Sequence, residues 1–278
     1  MTTIAVVTDS NSQIPPSLVD RFRVTVVPLS VTVDGVTYSE GVDLDADRFW
    51  ERFDGGAAPT VSTAQPGPGQ FAAAYDRAVA EGADAILSVH IGSAISGTVN
   101  SARLGSSEVA VPVRIVDTGT ASFAVALSVW AAAEAVRDGA GLDGAAAVAE
   151  STAAATGNVF VVKALDLARA GGRLAAGEHV AAAAAVPVLT MAGGTMTVIG
   201  QAADLDEAAA AMVAHVEAAG GWSRRVGVGL GDRAMLALVE ALESRLGALS
   251  NVAEVVRYRV GPSVGAHTGP GTVGVMYG

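Results

Sequence analysis

The chain of 278 residues contains no cysteine, which excludes disulfide bridges, thiolate metal sites and cysteine nucleophiles. Aromatic residues are scarce, at 5%, although 51% of the residues are hydrophobic, so small aliphatic side chains must fill most of the core. Such side chains are equally suited to line a long apolar cavity. Basic residues are outnumbered, 17 against 28 acidic ones, and the net charge of −11 argues against nucleic acid and anionic membranes as partners.

Long hydrophobic runs are missing as well. The longest apolar stretch, residues 180–191, contains Pro187 and is well short of the ~20 residues that a membrane span needs. The first ten residues lack a basic region and reach Asp9 too early for a signal peptide. We therefore expect a soluble, cytoplasmic protein without membrane insertion.

The first half of the chain alternates short β-branched runs with helical patterns. Strands are expected at residues 4–7, 25–33, 85–90 and 113–116, and helices at residues 45–53, 69–81, 98–104 and 121–137. Strands separated by helices predict right-handed βαβ crossovers, and hence a mostly parallel sheet with flanking helices.

The second half predicts an α/β unit with a mixed sheet. Strands are expected at residues 159–162, 187–191, 195–199, 226–230, 252–260 and 272–276, with helices at 165–168, 206–219 and 232–246 and a helical or buried segment at 180–186. The Thr156-Gly157 turn places the boundary near Asn158. The sequence thus predicts an N-terminal α/β domain of residues 1–158 and a C-terminal α/β domain of residues 159–278.

Four polar loops are predicted after strands, where parallel sheets bind their ligands. They comprise residues 8–12, 62–66, 93–98 and 261–274. Taken singly, the first three are typical of helix caps. Gly97 would let the backbone approach a ligand closely, and the helix that follows would offer free N–H groups to an anion. His267, among glycines in the last loop, is expected to hold a hydroxyl or a carboxylate in place.

In this order the loops resemble those of the DegV family, and the resemblance covers nearly the whole chain. It rests on the segments Thr8-Asp9-Ser10, Thr63-Ala64-Gln65-Pro66, Ser96-Gly97-Thr98, Gly171-Gly172-Arg173 and His267-Thr268-Gly269-Pro270-Gly271. The resemblance implies two α/β domains with one long-chain fatty acid in a buried pocket that the C-terminal domain closes. It also implies a lipid-binding protein that is not an enzyme by itself and presents the carboxylate to a separate fatty acid kinase for acyl phosphate formation.

The resemblance also assigns roles to individual residues. Thr63 and Ser96 would contact the carboxylate. The further binding candidates are Gly97, Thr98 and His267, and the supporting candidates are Asp9, Ser10, Arg173 and Thr268. No catalytic residue, metal or cofactor is expected, and the four histidines show no metal-ligand spacing.

The chain departs from the family pattern at several positions. Ala64 and Ala266 stand where the family usually has serine and threonine, and Val186 replaces a common lysine. Residues 194–208 lack the basic cluster that members often carry there. The two alanines would weaken secondary hydrogen bonds near the head-group loops. The missing basic residues weaken the expectation of a kinase partner, and the expectation of lipid binding is kept.

Three alternatives remain open at this point. The segment Gly227-Val228-Gly229-Leu230-Gly231 suggests a nucleotide site, but its spacing is not the dinucleotide fingerprint and favours a tight strand-to-helix turn. A serine-type hydrolase of a small ester would use Ser96 and His267 with an acid such as Asp9, although no Gly-x-Ser-x-Gly elbow is present. A purely structural or interaction protein would have a collapsed interior without a pocket.

Overall fold

The computed structural model describes residues 2–55, 58–163, 165–178, 185–220 and 224–278. Its strands are, in chain order, β1 (Ile4–Asp9), β2 (Thr25–Val27), β3 (Ser30–Val33), β4 (Val36–Ser39), β5 (Val61–Ala64), β6 (Ala85–His90), β7 (Val113–Asp117), β8 (Gly157–Val161), β9 (Val186–Ala192), β10 (Thr195–Ala202), β11 (Arg224–Leu230), β12 (Val252–Arg259) and β13 (Val273–Tyr277). Its helices are α1 (Pro16–Phe22), α2 (Ala46–Trp50), α3 (Pro68–Ala80), α4 (Thr98–Gly105), α5 (Phe123–Arg137), α6 (Leu142–Ala155), α7 (Asp166–Ala170), α8 (Leu205–Ala218), α9 (Leu236–Gly247) and α10 (Pro262–Thr268).

A four-stranded parallel sheet organises the first half, in the order β2-β1-β6-β7. Helices α5 and α6 pack against each other. Val125 and Val129 of α5 and Ala145 of α6 belong to one apolar core. Phe71 and Tyr75 of α3 belong to a second core with Ile86 of β6. The predicted parallel sheet with flanking helices is confirmed, and β6 has the predicted bounds.

The single strand predicted at residues 25–33 is wrong, because the chain changes sheets within it. β2 pairs with β1, whereas β3 belongs to an antiparallel sheet of order β4-β3-β5. The break falls at Pro28-Leu29. Proline has no N–H for a sheet bond, and the Leu29 N–H donates to Ser10 Oγ at 2.9 Å instead of to a strand.

The second half forms a six-stranded mixed sheet of order β10-β9-β8-β13-β11-β12, as predicted. Only β11 and β12 run parallel, and the other neighbours are antiparallel. Helices α8 and α9 cover an apolar core that includes Met212, Val239 and Leu242. The first strand of this sheet begins at Gly157, beside the expected boundary, and the division at residue 158 stays a prediction. The segment expected at residues 180–186 lies mostly outside the described residues.

Two of the glycines predicted to form a strand-to-helix turn lie inside β11. A Cβ at Gly227 would be 2.1 Å from Cδ1 of Phe123, and a Cβ at Gly229 would be 2.4 Å from Cζ of Tyr258. Alternate residues of a strand share a face, so both glycines make room on one face for these rings. The rings stack with their centroids 4.7 Å apart. The strand predicted at residues 226–230 is confirmed, whereas the turn interpretation fails for Gly227 and Gly229, and ring packing is the physical reason for these glycines.

Within the described residues, no helix has both the length and the apolar character needed to span a bilayer. The cytoplasmic location stays a prediction.

Candidate functional site

A cavity of about 340 Å³ lies between the antiparallel sheet, the polar loops of the first half and the six-stranded sheet. This volume is within the range of roughly 300–1,000 Å³ that is usual for small-molecule sites. Most of its wall is apolar and is formed by Leu29, Ile91, Ile95, Ala121, Phe160, Met191, Met196, Val260, Val264 and Met276. Polar side chains line the remainder, so the cavity suits a ligand with a long apolar part and a small polar part.

Thr63 and His267 meet at one polar part of this wall. Thr63 lies on β5 and His267 on α10, and Thr63 Oγ1 is 3.0 Å from His267 Nε2. Both residues line the cavity. The sequence predicted loops at both positions, and this is wrong. Thr63 pairs with Val31 in the antiparallel sheet, and Pro262 begins a helix, so regular elements fix both side chains.

Burial lowers the pKa of His267, and the positive charge of Arg173 lowers it further, so the ring is neutral at pH 7. Its Nδ1 is buried and has no hydrogen-bond partner among the described residues. A Cβ at Gly171 would be 2.7 Å from this nitrogen, so only glycine permits the close approach. Buried N–H groups without acceptors are rarer than unpaired acceptors, which favours the tautomer with its proton on Nε2. In that tautomer Nε2 donates to Thr63, and the Thr63 O–H is free to donate to a ligand.

The Ser96 hydroxyl occupies the second polar part of the same wall. Ser96 Oγ is 2.8 Å from Thr98 Oγ1 and accepts from the Thr98 N–H at 3.4 Å. Ser96 and Gly97 line the cavity, whereas Thr98 is fully buried behind them. A Cβ at Gly97 would be 2.6 Å from Gln65 Nε2, so this glycine lets the loop approach the segment after Thr63.

Arg173 joins the two halves of the molecule at the edge of the cavity. Its Nη2 donates to the carbonyl oxygen of Ile95, which precedes Ser96. A Cβ at Gly194, in the turn between β9 and β10, would be 3.1 Å from the carbonyl oxygen of Ala94. The loop that carries Ser96 is thus contacted from the second half by a charged side chain and by a glycine turn.

A scan against family models gives one match over residues 3–278, to the family described as "Uncharacterised protein, DegV family". The chain is 34% identical over 279 residues to a DegV domain-containing protein of Streptomyces coelicolor, with 98% of this chain and 97% of the relative covered. It is 35% identical over 280 residues to one of Deinococcus radiodurans, with the same coverage. The chain belongs to the DegV family.

Solved structures agree with this assignment. A DegV family protein of Thermus thermophilus, whose structure was described for its fatty acid binding, has a TM-score of 0.87 at 32% identity, with 99% of both chains covered. A DegV lipid-binding protein of Thermotoga maritima has a TM-score of 0.88 at 26% identity, covering 99% of this chain and 98% of that one. The two-domain α/β architecture of the DegV family is therefore present.

The other residues predicted from the DegV resemblance take different positions. Thr268 lines the cavity, and its Oγ1 donates to the carbonyl oxygen of Val264 at 3.1 Å. Asp9 and Ser10 are buried behind the wall and do not line it. The Ser10 hydroxyl donates a hydrogen bond to the Glu40 carboxylate. Burial raises the pKa of Glu40, although the hydrogen bonds that its carboxylate accepts act in the opposite direction. Asp9 and Ser10 therefore fix loops, and do not face the cavity.

Asp9 also bears on the hydrolase alternative. Its Oδ2 is 3.0 Å from Nδ1 of the fully buried His90 and accepts from the Ile91 N–H at 3.1 Å. Across the described residues, no carboxylate forms a hydrogen bond or ion pair with His267, and Ser96 bonds to Thr98. An Asp-His-Ser relay through His267 is therefore not formed, and the geometry does not favour a serine hydrolase.

Sequence reasoning missed a second group of polar residues in the cavity wall. Asn11 Oδ1 accepts from the Ser122 N–H at 3.0 Å, and Asn11 Nδ2 donates to Ser263 Oγ at 3.2 Å. Ser122 Oγ in turn lies 3.3 Å from the Tyr258 hydroxyl. The only available signal was Asn11, in a loop predicted as polar, because the partners are separated by more than 100 residues in the chain.

Metal binding gains no support from the part of the chain that is described. No group of three or more His, Asp or Glu residues there is arranged to hold a metal ion.

Proposed function

We propose that this protein binds one long-chain fatty acid in the cavity, with the carboxylate at Thr63 and Ser96. The observation that carries the proposal is the union of a long apolar wall with two hydroxyl side chains in one cavity. Gly97 and His267 complete the carboxylate site, and Thr98, Asp9, Ser10 and Thr268 fix the surrounding loops. Arg173 holds the loop of Ser96 at the edge.

The tail supplies most of the affinity in this proposal. Burying ~14 methylenes at ~0.8 kcal/mol each gives a gross gain of roughly 11 kcal/mol. Each hydrogen bond to the charged carboxylate adds about 1.5–3 kcal/mol. The tail therefore determines how tightly the acid binds, and the hydroxyls determine which end enters first.

Local donors must hold the carboxylate, because the net charge of −11 repels an anion. The neutral His267 contributes through orientation, since its Nε2–H donates to Thr63 and directs the threonine proton toward the ligand. Arg173 supplies a positive charge that acts on His267, and this charge also favours a carboxylate. The fatty acid binding described for the Thermus thermophilus relative supports the same ligand class.

Presentation of the bound carboxylate to a separate kinase is the second part of the proposal. Thr63, Ser96 and Arg173 are only partly buried, so the carboxylate would lie near the surface where another protein can reach it. The test is formation of acyl phosphate from ATP by a bacterial fatty acid kinase and the loaded protein. Absence of acyl phosphate with kinases that act on other DegV proteins would contradict this part and leave lipid binding intact.

Native mass spectrometry tests the binding proposal. Protein purified without detergent should carry one additional mass that matches a long-chain fatty acid, and organic extraction should recover that acid in a 1:1 ratio. A purified protein without ligand that takes up no added palmitate or stearate would overturn the proposal.

A further inference from the structure

Two glycines of the six-stranded sheet make room for the Tyr258 side chain at the cavity wall. Phe160 of β8 pairs with Gly274 of β13, Gly274 with Gly229 of β11, and Gly229 with Tyr258 of β12. Paired residues point to the same face of a sheet, so two glycines lie between two aromatic side chains. The Tyr258 ring lies across Gly229. A Cβ at Gly274 would be 3.2 Å from the Tyr258 hydroxyl, so this hydroxyl extends over Gly274 at the cavity.

Tyr258 and Ser122 form a hydroxyl pair at this part of the cavity wall. Their oxygens are 3.3 Å apart, and both residues are buried and line the cavity. Burial raises the pKa of Tyr258 to about 12, so its hydroxyl keeps the proton at neutral pH. The pair has two protons, and the bond between them uses one. Among the described residues, neither hydroxyl makes another hydrogen bond, so the pair keeps one proton and several lone pairs that a ligand can use.

The backbone of Ser122 is held in a conformation that favours glycine. Its φ is 61° and its ψ is −150°, near a region that only glycine adopts easily. The hydrogen bond from its N–H to Asn11 and the stacking of the adjacent Phe123 on Tyr258 keep it there. Strain of this kind clusters at ligand sites. At Ser122 the strained backbone places a hydroxyl beside the Tyr258 hydroxyl, and a glycine at this position would have no hydroxyl.

The hydroxyl pair is separate from the carboxylate site. Asn11 connects Ser122 to Ser263, and Ser263 precedes His267 by four positions on α10. Among the described residues, no hydrogen bond joins Ser122 or Tyr258 directly to Thr63, Ser96 or His267. Because both sites line one cavity, an acid whose carboxylate lies at Thr63 would meet the hydroxyl pair with its acyl chain.

We propose that Ser122 and Tyr258 recognise a hydroxyl group within the acyl chain, which makes hydroxy fatty acids a preferred ligand class. The hydroxyl would accept the unused proton of the pair and donate to one of its lone pairs. A plain methylene at this point leaves a buried polar proton without an acceptor, and this raises the cost of binding. The inference rests on the proposed function, because it requires the carboxylate to bind at Thr63 and Ser96.

The test compares stearate with hydroxystearates that carry the hydroxyl on successive carbons, by competition for the protein in native mass spectrometry. At least one mid-chain isomer should bind roughly three- to tenfold tighter than stearate to the wild type, as expected for one hydrogen bond. The double variant Ser122→Gly/Tyr258→Phe removes both hydroxyls and should bring the ratio of the two affinities to about one. Each single variant keeps one hydroxyl and should lower the ratio without abolishing the preference. Ser122→Gly should also raise the melting temperature, since glycine relieves the strained backbone.

Tyr38→Phe is the matched control, because Tyr38 lies on β4 outside the cavity wall, and its affinity ratio should equal that of the wild type. The inference is overturned if no hydroxystearate binds better than stearate, or if the preference survives in the Ser122→Gly/Tyr258→Phe double variant. Failure of the proposed function has a different signature, since stearate itself would then not bind to the wild type. If the double variant does not fold, the two single variants decide, because each should have a lower affinity ratio than the wild type.

Discussion

Thr63 Oγ1 and His267 Nε2 lie 3.0 Å apart although 204 positions separate the two residues in the chain. The contact joins the edge of the antiparallel sheet to the helix that precedes the last strand. Its partly buried imidazole has a lowered pKa, and with the proton on Nε2 it leaves the Thr63 hydroxyl free to donate to a ligand. The first two predictions concern this pair.

Thr63→Val should weaken palmitate binding roughly 10- to 150-fold, because it removes one hydrogen bond to a charged group. Valine has the shape of threonine, so the strand and the cavity volume should persist. Titration calorimetry measures the effect. Thr37→Val on strand β4, at the opposite edge of the same sheet, is the control, because Thr37 is outside the cavity wall, and its affinity should stay within about twofold. Equal affinities of Thr63→Val and the wild type would remove Thr63 from the carboxylate site.

His267 should make the apoprotein less stable in mild acid. Its folded-state pKa lies below the usual 6.5, so above pH 6.5 the ring is neutral in both states and its contribution is complete. As the pH falls from 6.5 through the folded-state pKa, the unfolded chain binds the proton more readily and that contribution is lost. Urea unfolding of the wild type and His267→Gln at pH 7.5, 6.5 and 5.0 checks this. The free energy of unfolding of the wild type minus that of His267→Gln should decrease as the pH is lowered. A constant difference would contradict the lowered pKa.

Arg173→Met should accelerate release of the fatty acid about fivefold. The variant removes the hydrogen bond to the Ile95 carbonyl that joins the two halves at the edge of the cavity, worth about 1 kcal/mol. Stopped-flow transfer of a fluorescent fatty acid to vesicles measures the rate. Arg169→Met is the control on the preceding helix, because Arg169 is exposed and bonds within its own segment. If both variants release at the wild-type rate, the Arg173 contact does not limit opening.

Asp9→Asn should lower the free energy of unfolding by about 1–3 kcal/mol. Asp9 and His90 are fully buried, and the carboxylate accepts from Ile91 and Asn11 as well, so an amide leaves one of these buried groups unpaired. Chemical denaturation measures the loss. A catalytic role for Asp9 predicts the opposite pattern, in which unfolding is unchanged and an esterase activity of the wild type disappears.

Much of the architecture was predictable from local pattern. The β-branched runs gave the parallel strands, because buried central strands read as continuous apolar segments, and residues 85–90 were predicted with the observed bounds. Helix α6 was missed, since its alanine-rich sequence has a weak apolar periodicity, and so were the short strands β4 and β5. The predicted strand at residues 25–33 was split by Pro28, whose effect depends on which sheet each side joins.

The site was predictable only in part, for a related reason. The resemblance selected Thr63, Ser96 and His267, and these residues do line one cavity. Their elements were predicted wrongly for Thr63 and His267, because strand pairing and a helix of seven residues depend on distant contacts. Tyr258 has no local motif. The sequence offered one indirect sign of Tyr258, which is the glycine at position 229. The Tyr258 ring fills the space where a side chain at position 229 would lie, and this contact is visible only in the folded structure.

A crystal structure of the protein with bound palmitate tests the central claim most directly. We predict one palmitate per chain, with its carboxylate within hydrogen-bond distance of Thr63 Oγ1 and Ser96 Oγ and its tail along Phe160 and Met276. A carboxylate bound instead at Tyr258 and Asn11, or palmitate found only outside the cavity, would contradict the account.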